Sequence, residues 1–167
     1  MSTRNALITG ASQGLGRALF TELARQGWRV VGVARNAGRL DDTVQTVRDE
    51  GFEAWGIAAD VSDAAATLAL HAAELAGPID LVVHCASTLG PVPLRPLLQI
   101  DDQAFDRVLQ VNLAGPFRLT RHLVGSMALR GGGTVAFISS DAAVEAYPTW
   151  GAYGATKAAA DHLIRTF

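Results

Sequence analysis

Five short apolar runs punctuate the chain: Ala6–Ile8, Arg29–Ala34, Ala54–Ala58, Leu81–Cys85 and Thr134–Ile138. Most contain β-branched residues and all are flanked by glycine, proline or polar positions, a pattern that predicts strands. Leu15–Gln26, Ala37–Glu50, Ala64–Ala76 and the long stretch Asp101–Leu129 carry apolar residues at helical spacing with few breakers. The alternation predicts a doubly wound α/β domain, a parallel sheet with helices on both faces. Ser87–Pro96, with three prolines in ten residues, predicts an ordered loop after the fourth strand. In such sheets, loops at the carboxyl ends of the strands line the ligand crevice.

With 167 residues and 49% hydrophobic content, the expectation is one domain over 1–167 with a sizeable core. A formal charge of -2 provides no field that would draw the chain to nucleic acid or an anionic membrane. No apolar run approaches the ~18 residues of a membrane span. The chain enters its first strand directly from Met1-Ser-Thr-Arg, so no targeting leader and a cytosolic location are expected. The lone Cys85 reads as a small buried hydrophobe, and the dispersed His71, His84, His122 and His162 lack metal-ligand spacing, so no metal is expected.

Candidate chemistry begins at Thr9-Gly-Ala-Ser-Gln-Gly-Leu-Gly16, where Gly10, Gly14 and Gly16 lie between the first strand and first helix. Glycine permits a tight turn, and the exposed amides of a helix start favour an anion, so the motif fits a dinucleotide diphosphate held by Gly10, Ser12, Gln13, Gly14, Leu15 and Gly16. A purely structural turn is the alternative, but the strand-to-helix position favours the dinucleotide. At the end of the second strand, Arg35 stands where an NAD-selective site would offer a carboxylate. Its guanidinium can pair with a 2′-phosphate, so NADP(H) is the expected cofactor. Asp60-Val61 closes the third strand; the carboxylate either accepts from the adenine amino group or caps the following helix, a role for which Ser62 competes. Tyr153 and Lys157 stand four apart in Tyr-Gly-Ala-Thr-Lys, neighbours on one helical face, with Ser140 thirteen residues before the tyrosine. A phenol that ionises near ~10 in isolation is useful for proton transfer at neutral pH when a cation stabilises its phenolate.

Taken together, the glycine turn, Asp60-Val61, Asn112 in Val-Asn-Leu-Ala-Gly, Ser139-Ser140 and Tyr153-Gly-Ala-Thr-Lys157 resemble the short-chain dehydrogenase/reductase family in content, order and spacing. The resemblance implies a Rossmann-type fold and hydride transfer between nicotinamide and a carbonyl or alcohol. It implies Tyr153 as general acid–base, Lys157 as stabiliser of the phenolate and holder of the nicotinamide ribose, and Ser140 as hydrogen-bond donor to the reacting oxygen. Asn112 would support a water-linked proton path to Lys157, or bridge a helix kink, and the roles are compatible. Ala86 keeps its place in the cofactor segment after the fourth strand, but His84-Cys85-Ala86-Ser87 replaces the family's usual Asn-Asn-Ala-Gly. His84 is expected as a packed strand residue, since Tyr153 fills the acid–base role. Family members usually continue past the Tyr-Lys helix with two further strands and a substrate-covering segment, so the expected domain lacks the last strands of the family fold. The chain is expected to be incomplete at its C-terminus, with a covering second chain as the alternative. Leu94, Val144, Tyr147 and Trp150 are expected to border a pocket for a hydrophobic carbonyl compound. A homodimer or homotetramer follows from the resemblance of the long helix and the Tyr153 helix to those the family uses for association. A non-catalytic nucleotide-binding or interaction protein of the same fold is the competing function.

Overall fold

The computed structural model describes residues 4–63 and 65–167; Ala64, the expected start of the third helix, and Met1–Thr3 lie outside the described residues. The strands are β1 (Asn5–Thr9), β2 (Arg29–Ala34), β3 (Ala54–Ala58), β4 (Leu81–His84) and β5 (Thr134–Phe137). They form one sheet in the order β3-β2-β1-β4-β5, with every pairing parallel. The helices are α1 (Gly14–Arg25), α2 (Ala37–Asp49), α3 (Ala65–Ala76), α4 (Asp102–Leu109), α5 (Gly115–Leu129) and α6 (Gly151–Ile164).

Successive strand residues face opposite sides of the sheet, which divides the core. On one side Ala6, Ile8, Val30 and Val83 pack with Phe20 and Ala24 of α1 and Leu40, Val44 and Val47 of α2. On the other, Leu7, Val31, Val33 and Val82 meet Leu68 and Ala72 of α3 and Leu119, Leu123 and Met127 of α5. Burial on both faces explains why the strands read as nearly continuous apolar runs. The architecture is the Rossmann-type doubly wound parallel sheet expected from the sequence.

The chain winds outward from β1 through β2 to β3, then returns to the other side of β1 for β4 and β5. This reversal opens a crevice at the carboxyl ends of β1 and β4, where the glycine turn and the Cys85–Ser87 segment meet. β5 pairs only with β4 and forms one sheet edge among the described residues. No helix among them is long and apolar enough to cross a membrane.

The single helix expected over Asp101–Leu129 is instead α4 and α5 joined by a π-helical turn, Gln110–Ala114. Two residues explain the break. Pro116 has no N–H for the carbonyl four residues earlier, which removes one rung of an α-helical ladder at Asn112. Gly115 lies against the Val61 carbonyl: a Cβ there would stand 2.6 Å from that oxygen. The widened turn carries Asn112 into the interior, 4% exposed.

Candidate active site

A cleft of about 710 Å³ lies along the carboxyl ends of the strands. Its lining includes the expected Gly10, Ser12, Gln13, Gly14, Leu15, Gly16, Arg35, Asp60, Val61 and Ala86. Gly10 takes φ +73, and a Cβ on it would stand 2.9 Å from the Ala86 nitrogen, so only glycine lets the turn approach the end of β4. Gln13 is extended at the start of α1, no side chain caps that helix, and its first turn carries no acid. The first amides and the positive end of the helix dipole therefore suit an anion.

At the rim, Arg35 is exposed, and Asn36 caps α2 by accepting from the Arg39 N–H at 2.9 Å. The Arg39 guanidinium donates to Gln13 Oε1 at 2.9 Å, bridging the first turn of α2 and the glycine turn. Sequence reasoning missed Arg39. Its signal was a second arginine four residues past Arg35, but the contact with Gln13 spans 26 positions. Asp60 is the single carboxylate lining the cleft among the described residues. Its Oδ1 accepts from the Ser62 N–H at 3.0 Å and hydroxyl at 2.7 Å, while Arg107 of α4 donates to Oδ2 and to the Ser62 hydroxyl. Burial opposes ionisation, but the Ser62 and Arg107 hydrogen bonds outweigh it and hold the carboxyl below its ordinary range.

The segment after β4 is held by side chains from β1 and the π-helical turn. Thr9 Oγ1 accepts from both the Cys85 and Ala86 N–H groups at 3.1 Å. Asn112 grips the Thr88 peptide from both sides: Oδ1 accepts from its N–H at 2.8 Å, and Nδ2 donates to its carbonyl at 2.8 Å. Asn112 also receives the Ser87 hydroxyl at 3.2 Å and donates to Thr156 Oγ1 of α6 at 3.1 Å. Cys85 borders the cleft, and burial pushes its thiol up to about 11 despite the opposing influence of Lys157, so it stays protonated at neutral pH. His84 is 3% exposed, with Nε2 bonded to Thr120 Oγ1 at 2.9 Å and its ring 4.5 Å from that of Phe137, as expected of a packed strand histidine.

The remaining candidates gather where β5 meets α6. Lys157 is buried; its ammonium donates to the carbonyl of the cleft-lining Ile138 at 2.6 Å and lies 5.4 Å from the centre of the Tyr153 ring. Burial lowers its pKa from the ordinary lysine value, with Asp161 and Cys85 opposing. The Tyr153 ring meets Trp150 edge-on at 5.5 Å, and Trp150 meets Tyr147 at 6.1 Å. Ser140 accepts from the Ala142 N–H at 3.2 Å and donates to Asp141 Oδ1 at 3.1 Å. Asp141 also receives the Tyr147 hydroxyl at 2.8 Å. The fold thus brings Lys157 and Tyr153 into contact and sets Asn112 beside the residue preceding Lys157. Of the expected hydrophobic pocket, Trp150 is half-buried against Tyr153, whereas Val144 is 85% exposed.

Residues 4–167 match the family model described as short chain dehydrogenase. Among curated relatives, 2,3-dihydro-2,3-dihydroxybenzoate dehydrogenase of Bacillus subtilis is 34% identical over 157 residues, covering 93% of this chain and 59% of that protein. Dehydrogenase/reductase SDR family member 4 of Bos taurus is 31% identical over 161 residues, covering 95% of this chain and 57% of the relative. The chain thus spans about three fifths of the length of these relatives. The alcohol dehydrogenase of the archaeon Thermococcus sibiricus, solved with 5-hydroxy-NADP, superposes with a TM-score of 0.91 at 32% identity, covering 99% of this chain and 70% of that one. NAD+-bound xylitol dehydrogenase superposes with a TM-score of 0.91 at 27% identity, covering 98% and 63%. A family-model match over residues 4–167, with relatives more than 30% identical along nearly the whole chain, leads to one conclusion: the chain belongs to the short-chain dehydrogenase/reductase family.

Proposed function

We propose that this chain carries the cofactor cleft and catalytic groups of an NADP(H)-dependent oxidoreductase acting on a carbonyl or alcohol substrate. The observation that carries the reading is the buried Lys157 ammonium, set against the Tyr153 ring and bonded to the carbonyl of Ile138, which lines the cleft. An amine kept from bulk water is a stronger electrostatic partner for a phenolate than a solvated one.

The cleft residues suit a dinucleotide. Gly10 removes the Cβ that would close the approach to Ala86, and the uncapped α1 terminus offers its amides to a diphosphate. Arg35 and Arg39 line the cleft and present two guanidinium groups to a 2′-phosphate. Asp60 lines the cleft and keeps one acceptor position, on Oδ2, for an adenine amino group. When bound, the nicotinamide supplies or takes the hydride. Tyr153 gives a proton from its phenol oxygen to a carbonyl oxygen, or takes one from an alcohol. Lys157 stabilises the phenolate that remains and binds the nicotinamide ribose. Ser140 turns its hydroxyl from Asp141 to the reacting oxygen. Asn112 locks the Thr88 peptide and the neighbouring turn of α6, keeping a path for water to Lys157. A cytosolic homodimer or homotetramer, associating through α4, α5 and α6, accompanies this reading.

Screening simple ketones and aldehydes with NADPH, followed by nicotinamide absorbance, tests it. Turnover is expected with the native protein. The Tyr153→Phe variant should lose it while keeping its NADPH affinity, and sustained activity in that variant would overturn the proposed role.

A further inference from the structure

We propose that Asp141, with the rings of Tyr147 and Trp150, forms a subsite selecting substrates that carry an ammonium group beside the reacting carbon. The inference rests on the oxidoreductase reading and names its substrate class. The Asp141 carboxylate is one residue from Ser140 and 3.1 Å from its hydroxyl oxygen, so it borders the point where the reacting oxygen is held. Its second oxygen takes the Tyr147 hydroxyl at 2.8 Å. From Tyr147, edge-to-face contacts run through Trp150 to Tyr153, giving an aromatic wall that begins at a carboxylate and ends at the acid–base phenol. No basic side chain pairs with Asp141 among the described residues, and the segment from 141 to 150 holds two carboxylates and no Lys, Arg or His. The carboxyl lies below its ordinary range because the Tyr147 and Ser140 hydroxyls donate to it.

The Ser140 hydroxyl has one proton and gives it to Asp141. To serve a carbonyl oxygen, that proton must leave the carboxylate. A substrate ammonium gives Asp141 a replacement donor and releases the Ser140 proton; a neutral substrate offers no exchange, and a carboxylate adds repulsion. The flanking aromatic rings favour a cation over an anion.

Three alcohols of similar shape test this as non-reacting complexes with NADPH: 2-amino-1-phenylethanol, 1-phenyl-1-propanol and mandelate. Calorimetric titration of the NADPH-saturated protein should show the amine binding about five- to tenfold more tightly than the neutral alcohol, with mandelate weakest, the gain expected from one exposed ion pair and aromatic contact. In Asp141→Asn, which retains an acceptor for the Ala142 N–H, the amine and the neutral alcohol should bind alike and mandelate should improve. Equal binding of amine and neutral alcohol in the native protein, a preference that survives in Asp141→Asn, or failure of all three to bind would overturn the proposal. Turnover of a neutral aromatic ketone is read separately. Turnover without an amine preference sinks the subsite alone, whereas an amine preference without turnover of any ketone sinks the oxidoreductase reading and with it the substrate-selecting role, leaving a site that only binds an ammonium group.

Discussion

Acidification should destabilise this fold through His84 in a defined window. The ring is 3% exposed, packed on Phe137 and bonded through Nε2 to Thr120, while Nδ1 is buried without a partner among the described residues. Burial penalises the imidazolium and lowers the pKa from 6.5 to about 3. The unfolded chain, which solvates the ring, binds a proton that the folded chain refuses. The contribution to stability is therefore complete above pH 6.5 and declines as pH falls from there toward 3. At pH 5 the unfolded state is favoured by about 2 kcal/mol relative to neutral pH, and the full effect near pH 3 approaches about 5 kcal/mol. Urea unfolding of the native protein and of His84→Phe, followed by circular dichroism at pH 7.5 and 5.0, isolates the His84 contribution because His71, His122 and His162 remain in both. The native protein should lose about 2 kcal/mol more between the two pH values than the variant. Parallel losses would mean that protonating His84 carries no penalty in the folded state.

Removing Arg35 as Arg35→Ala should weaken NADPH binding about tenfold or more through loss of charge-assisted hydrogen bonds, with NADH unaffected; equal weakening of both in calorimetry would remove the 2′-phosphate assignment. Arg39→Ala should show the same selectivity at about threefold, because its guanidinium is shared with Gln13. Asn112→Ala strips both groups of the Thr88 peptide of their partner and should lower unfolding stability by about 3 kcal/mol. A loss under about 0.5 kcal/mol would mean that water satisfies the peptide equally well.

The sheet was legible because parallel strands buried on both faces leave apolar runs, and because glycines 10, 14 and 16 mark the turn by residue type alone. The placing of Tyr153 and Lys157 side by side on one helix was legible because four-residue spacing is local geometry. Contacts between distant segments were not. Thr9 holds peptides 76 and 77 positions away, and Arg107 reaches Asp60 across 47. The π turn escaped notice because Gln110–Ala114 contains no breaker; its cause is the tertiary approach of Gly115 to the Val61 carbonyl together with the missing N–H of Pro116. Nor did sequence reveal that Asp141 takes the Ser140 proton, since a neighbouring carboxylate reads as an ordinary loop charge until Tyr147 folds back onto it.

Hydride transfer with Tyr153 as proton donor is tested most directly with NADPH deuterated at both nicotinamide C4 positions and a ketone that the protein turns over. One deuterium is expected at the carbinol carbon of the product, and no labelled product from Tyr153→Phe with cofactor still bound. Unlabelled alcohol, or labelled alcohol from the variant at an undiminished rate, would contradict it.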